Sequence, residues 1–420
     1  MGQTITEKIL ARAAGLTSTH AGQEIEVKPD YVIAYDFPGY TDVIFKQMEE
    51  EFGIKQVAEP ERFALFIDHM VPAIAPHEEE LHQNTRNWGL KNNVPVYERM
   101  GIGHQVAAEL GYATPGAFVV HFDGHISQLG TYGALAIGVR RHLLEAFVKE
   151  HIKLKVPHTT RVNLNGVLRP GVTARDVFHH IVRIIGPSGC RFQVLELGGN
   201  IIADMSLEGR QTITCLAMFT GAISAIINPD KKALNYAGPR ARKKLEVEHS
   251  DDDANYSAVH NIDVSSLDPV VVIPPNPSNT RDLADFVGTE IHLGYLGSCA
   301  SGRLEDLRMA AEVLEGRQVK DGFQLHVVPT SKGIMEQAAR EGTLATLIGA
   351  GAFVTSSSCD YCFGRMGVMS DGQRAVSTGT LNVTGRMGST NSEIYIVNAA
   401  AVAAAAIEGC ITDPRKYIKS

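Results

Sequence analysis

Six cysteines among 420 residues are too few to staple a fold, which excludes a disulfide-rich secreted scaffold. Long apolar runs are missing too: no stretch approaches the roughly 18 consecutive apolar residues that a membrane-spanning helix needs. No basic segment followed by an apolar core marks the N-terminus, so no secretory signal is expected and the expected location is cytoplasmic. Basic charge of the kind that grips phosphates is scarce. The formal net charge is −8 and the pI about 6.1, which speaks against a nucleic-acid partner held by charge. The one basic cluster, residues 240–244 (RARKK), is expected on a solvated face.

What is present is a chain long enough, and at 44% hydrophobic content apolar enough, for two to four domains at roughly 100–200 residues each. Short β-branched runs alternate with helical spacing. Strands are predicted at 31–35, 64–67, 117–121, 293–296, 323–329 and 353–356, and helices at 41–51, 76–90 and 303–314. Thr4 with Glu7 forms the signature of a capping box opening a first helix. This alternation predicts an α/β architecture with mostly parallel sheets. Asp68 and His69, Asp123 and His125, and Cys299 all follow the carboxyl ends of predicted strands, where open α/β sheets bind their ligands. Residues 246–253 are acidic and polar. Residues 265–280 (SSLDPVVVIPPNPSNT) are proline-rich and expected to be extended, joining domains. The expected division is 1–158, 159–265 and 266–420.

The cysteines fall into two groups. Cys190, Cys215 and Cys410 stand alone in apolar surroundings and are expected to be small buried hydrophobes. Cys359-Asp360-Tyr361-Cys362 is a Cys-x-x-Cys pair, compatible with a redox pair, half a zinc site or two cluster ligands. Cys299 lies at another predicted loop tip. Three such thiolates can hold three irons of a cubane and leave the fourth open as a Lewis acid; three unrelated buried thiols are the plainer alternative.

Gly297-Ser298-Cys299-Ala300-Ser301-Gly302-Arg303 resembles the cluster-ligand motif of aconitase-family large subunits, which usually reads GSCTNGR. Ser358-Cys359-Asp360-Tyr361-Cys362-Phe363-Gly364 is similar to that family's PGC-x-x-CLG. Matches at Asp68-His69-Met70-Val71-Pro72, Gly103-His104-Gln105-Val106 and Gly385-Arg386 extend the resemblance along the chain, and the length fits the short large subunits of isopropylmalate dehydratase and homoaconitase. The resemblance implies three α/β/α domains around a [4Fe–4S] cluster on Cys299, Cys359 and Cys362, with one iron open. It implies a hydro-lyase acting on a hydroxy di- or tricarboxylic acid. Asp68, His69, His104, Asp123 and His125 would be catalytic, and Arg386 and Ser301 would bind substrate. It further implies a separate small subunit, because the family's proton-abstracting serine belongs to a domain with no counterpart in these 420 residues.

Several positions depart from the family pattern. The family's GDSH reads Phe122-Asp123-Gly124-His125, so a serine is missing. In CN-M-x-x-E, Cys215 takes the asparagine position and Phe219 the glutamate position, which would leave His104 without its carboxylate. Ser301 stands for the asparagine of GSCTN, and Leu381 replaces one arginine of NRN-x-x-GR. Losing polar contacts while keeping all three thiols predicts a substrate with fewer carboxylates or a larger apolar part than isopropylmalate. The alternatives are an ordinary isopropylmalate dehydratase or homoaconitase subunit, or a cluster protein with another or no catalytic role.

Overall fold

The computed structural model describes residues 2–37 and 39–418, and within them the chain builds three largely parallel sheets in sequence. The first sheet has the spatial order Val96–Glu98, Phe63–Ile67, Tyr31–Tyr35, Phe118–His121, Leu135–Gly138, all parallel. Its central strands YVIAY and FALFI are buried at every position, as strands covered by helices on both faces must be. The strand order reverses beside Tyr31–Tyr35, leaving a crevice at the carboxyl ends of that strand and of Phe118–His121. A two-stranded antiparallel ribbon, Glu24–Val27 with Ile152–Lys155, flanks this unit.

The second sheet is also wholly parallel, in the order Ser224–Ile227, Val194–Gly198, Thr159–Asn165, Ala258–Asp263. The third has seven strands, in the order Thr280–Asp282, Val270–Val272, Glu393–Ile396, Arg374–Ser377, Leu293–Leu296, Gln324–Val327, Phe353–Val354. Its last five strands are parallel, and the first two join antiparallel at one edge. The α/β expectation is met. The capping box is met as well: Thr4 Oγ1 accepts the Glu7 N–H, and the Glu7 carboxylate accepts the Thr4 N–H.

The proline-rich segment is more than a linker. Val270, Val271 and Val272 are fully buried and supply a strand of the third sheet. The reason lies in composition, because three consecutive β-branched residues gain more from a sheet interior than from solvent. The helix Ala399–Glu408 carries almost nothing but alanine on its buried positions, which lets it pack close against the helix Leu304–Leu314. Among the described residues no helix is long and apolar enough to cross a membrane.

Candidate functional site

The strand ends of the first and third sheets face each other, and local sequence explains how each polar group is held. Asp68 directly follows the strand Phe63–Ile67. Its Oδ1 lies 2.7 Å from His69 Nδ1, and its Oδ2 accepts the Gly103 N–H at 2.6 Å. Gly103 is needed there because a Cβ would come within 2.9 Å of Phe66 and 3.2 Å of Asp68 Oδ2. One strand over, Asp36 Oδ1 accepts the backbone N–H groups of Asp68 (3.0 Å) and His69 (3.4 Å), and its Oδ2 is 2.9 Å from His82 Nε2. Burial alone disfavours a charged His69, but the Asp68 carboxylate outweighs it and pushes the imidazole up to about 9.

A second pair follows Phe118–His121. Asp123 Oδ1 accepts the His125 N–H at 2.5 Å and lies 3.1 Å from His125 Nδ1, while the Asp123 N–H donates to His121 Nδ1 at 2.9 Å. Burial opposes the His125 charge; the Cys299 sulfur and the Asp123 carboxylate overcome it and raise the group to about 10. His125 Nε2 is buried with no hydrogen-bond partner. His121 goes the opposite way: burial, reinforced by His104, pushes it down to about 3, so it stays neutral. His104 opens the helix Gly103–Glu109, and neither of its ring nitrogens has a hydrogen bond. Its nearest carboxylate is Asp123, at 3.7 Å. Phe219 packs by the ring of His125, centroids 6.2 Å apart. Gly124 leaves open room, for a Cβ there would meet only Met218 at 3.8 Å, so packing does not forbid a serine.

The third sheet brings the thiols. Cys299 lies after Leu293–Leu296 in a loop where Ser298 holds a left-handed φ of 95°, a conformation kept only where the surroundings over-determine it. Arg303, fully buried, donates to the Cys299 carbonyl (2.6 Å), Gln128 Oε1 (2.8 Å), Gln105 Oε1 (3.1 Å) and Thr212 Oγ1 (3.3 Å). One guanidinium thus ties the cysteine loop to elements of the other two sheets' units. The Cys359 N–H donates to the Asp68 carbonyl at 2.9 Å. The Asp360 carboxylate accepts the Met70 and Val71 N–H groups at 2.7 and 2.9 Å, and Arg365 bridges Asp360 and Glu78. Met70 itself sits at φ 57°, so the loop after His69 is shaped by its dock on Asp360. Arg386 reaches Cys362 Sγ at 3.4 Å, and its buried Nε is unpartnered. A hydrogen bond from Cys359 holds the Cys362 thiol well below its ordinary range against burial, with Arg386 assisting. Ser301 is buried in the loop, with its carbonyl accepting from Thr330 Oγ1 at 2.6 Å and its hydroxyl oxygen buried without a hydrogen-bond partner.

The structure therefore brings Asp68, His69, His104, Asp123, His125, Arg386, Cys299, Cys359 and Cys362 to one junction, with Ser301 buried in the loop that carries Cys299. Sequence reading missed Asp36, His121, Asp360 and Arg303. Asp36 carried a signal in its place directly after a predicted strand, and Arg303 and Asp360 lay inside the two cysteine motifs. It also missed that Cys215 lies 3.7 Å, sulfur to sulfur, from Cys299. Cys190 and Cys215 are buried as expected, whereas Cys410 is partly exposed. The donor set suits a thiolate-bound group. Three soft sulfur ligands converge with an arginine and a histidine whose buried nitrogens lack partners.

The family profile described as "Aconitase family (aconitate hydratase)" matches residues 7–409. The chain is 36% identical to a protein of Methanopyrus kandleri named 3-isopropylmalate dehydratase large subunit 1, over all of both chains. It is 37% identical to the 3-isopropylmalate dehydratase large subunit of Aquifex aeolicus, over all of this chain and 99% of the relative. Identity to the Heliobacterium modesticaldum protein of the same name is also 37%, over 99% of this chain and all of the relative.

Proposed function

Because this chain belongs to the aconitase family of hydro-lyases, we propose that it is the large subunit of a dehydratase acting on 3-isopropylmalate, completed by a separate small subunit and working in the cytoplasm. The observation that carries the reading is the meeting of three thiols, Cys299, Cys359 and Cys362, with two buried imidazole–carboxylate pairs at the strand ends. Family members generally use a [4Fe–4S] cluster, and here Cys299, Cys359 and Cys362 would hold it. Bound there with one iron open, it would supply a Lewis acid for the substrate hydroxyl.

The chain's own residues do the rest. His125, kept as imidazolium by Asp123, has its Nε2 proton free and protonates the departing hydroxide. The His69–Asp68 pair, equally charged, fixes the substrate's position and screens its carboxylates. Arg386 pairs with one carboxylate through its planar fork. The base that takes the substrate proton comes from the small subunit. The departures at Gly124, Phe219 and Leu381 by themselves point to an altered substrate. The full-length relatives support the unaltered one better, and Phe219 beside His125 offers an apolar wall suited to the branched alkyl group of an isopropylmalate. The division into units 1–158, 159–265 and 266–420 is proposed on the same footing, supported by one largely parallel sheet in each.

The test is anaerobic co-expression with the small subunit, then iron and sulfide analysis, then hydration assays on isopropylmaleate, aconitate and substituted maleates. About four irons per chain with turnover of isopropylmaleate is the expected result. Turnover confined to another maleate would restore the altered-substrate reading, and absence of iron after reconstitution would overturn the dehydratase reading.

A further inference from the structure

Cys215 has no part in the chemistry above, yet its sulfur faces that of Cys299 at 3.7 Å. Both side chains are buried, Cys215 completely and Cys299 to 6% exposure. The contact is held from both sides. Cys215 lies in the last turn of the helix Leu207–Leu216, where Ser127 Oγ donates to the Thr214 carbonyl at 2.6 Å and Thr214 Oγ1 meets Thr131 Oγ1 at 2.9 Å. Thr212 of the same helix donates to the carbonyl of Ala300, the residue after Cys299, at 3.1 Å. Arg303 holds the Cys299 carbonyl itself. Helix and loop are therefore pinned together around the two sulfurs.

We propose that Cys215 and Cys299 form an oxidative modification site: in the cluster-free chain they close a disulfide that protects Cys299 from over-oxidation and must be reduced before iron binds again. The bond itself rests on the geometry above. Its bearing on iron rests on the reading of Cys299 as a cluster ligand. The oxidant is hydrogen peroxide. The Cys299 thiol gives up its proton as its sulfur attacks one peroxide oxygen, the O–O bond breaks, and the departing hydroxide takes that proton to become water. The Cys215 thiol then gives up its proton and attacks the Cys299 sulfur. An S–S bond forms, the S–O bond breaks, and a second water leaves. Two sulfurs are oxidised and the peroxide is reduced. The sulfurs must close to about 2.05 Å, which side-chain rotation at the pinned pair has to supply.

The experiment uses the full chain, stripped of iron anaerobically, treated with one equivalent of peroxide, blocked and digested with trypsin. The expected product joins residues 211–231 to residues 282–303 through one disulfide, cleaved by dithiothreitol. After reduction, the wild-type chain should reload its iron. Peroxide-treated Cys215→Ser and Cys215→Ala chains should carry sulfinic acid at Cys299 and reload roughly five-fold less iron, although untreated they load as the wild type does. The proposal fails if peroxide joins Cys299 to Cys359 or Cys362 instead, if no cross-link forms, or if the treated variants reload fully. A cross-link in a chain that never takes up iron, treated or untreated, would refute the cluster reading and the protective role while leaving the disulfide established.

Discussion

The two faces of the site are built on opposite plans. On the first sheet's face, the groups proposed as catalytic are paired by near neighbours in sequence: Asp68 with His69, Asp123 with His125. Their charges are balanced within the protein. On the third sheet's face, Cys299 and the 359–362 turn come from loops about sixty residues apart, and Arg386 keeps an unpartnered Nε beside them. Both faces keep buried nitrogens without partners, His125 Nε2 on the first and Arg386 Nε on the second, but only the second gathers three thiols. The difference teaches that acid–base pairs can be local devices, whereas a multi-thiolate cradle depends on how loops are docked. That docking is done by Asp360 and Arg303, neither of which belongs to either chemical group.

The comparison breaks most decisively at the cysteines. Cys359→Ala should drop iron from about four per chain to near zero and abolish turnover, while circular dichroism stays that of the folded chain. Retained iron with that variant would show that the third sheet's face is not the cradle. Next come the paired imidazoles. His125→Asn and Asp123→Asn should each lower kcat by about 10²–10⁴-fold with iron content unchanged, as single-turnover kinetics and iron analysis can establish.

Arg303→Met should destabilise the chain by about 3–5 kcal/mol, because it removes a buried charge with four hydrogen bonds and strips the Cys299 carbonyl and Gln128 Oε1 of this donor. Urea unfolding measures the loss. His69, raised to about 9 by Asp68, contributes stability that is fully present below its unfolded value near 6.5 and is lost as pH rises through about 9. The contribution is at most about 3 kcal/mol. In Asp68→Asn this alkaline decline in the urea midpoint should flatten. Smallest of all, Gly124→Ser should change stability by under about 0.5 kcal/mol, since the space is open. Its effect, if any, should fall on KM for isopropylmalate, which tells whether the missing serine matters to specificity.

Legibility divided along the same line. Strand runs such as YVIAY and FALFI announce buried parallel strands by composition, and the polar residues at their ends announce a site by position. Partners adjacent in sequence, Asp68 with His69, can be read directly. The glutamate-to-phenylalanine departure at 219 is also visible, but its neighbour is not: the ring lies against His125. Val270–Val272 looked like part of a proline-rich connector because the prolines dominate the window, yet burial on the sheet decides its place.

By itself the sequence determined the α/β architecture, the paired carboxylates and imidazoles, and the thiols available for a metal group, because these depend on periodicity and on neighbours along the chain. Only the tertiary structure decided that Asp360 docks the cysteine turn onto Met70 and Val71, that Arg303 clamps the Cys299 loop, and that Cys215 faces Cys299. Each of these contacts joins residues more than eighty positions apart or turns a side chain inward within its own loop. Such contacts are selected by the packing of whole layers, and no local pattern of residues encodes them.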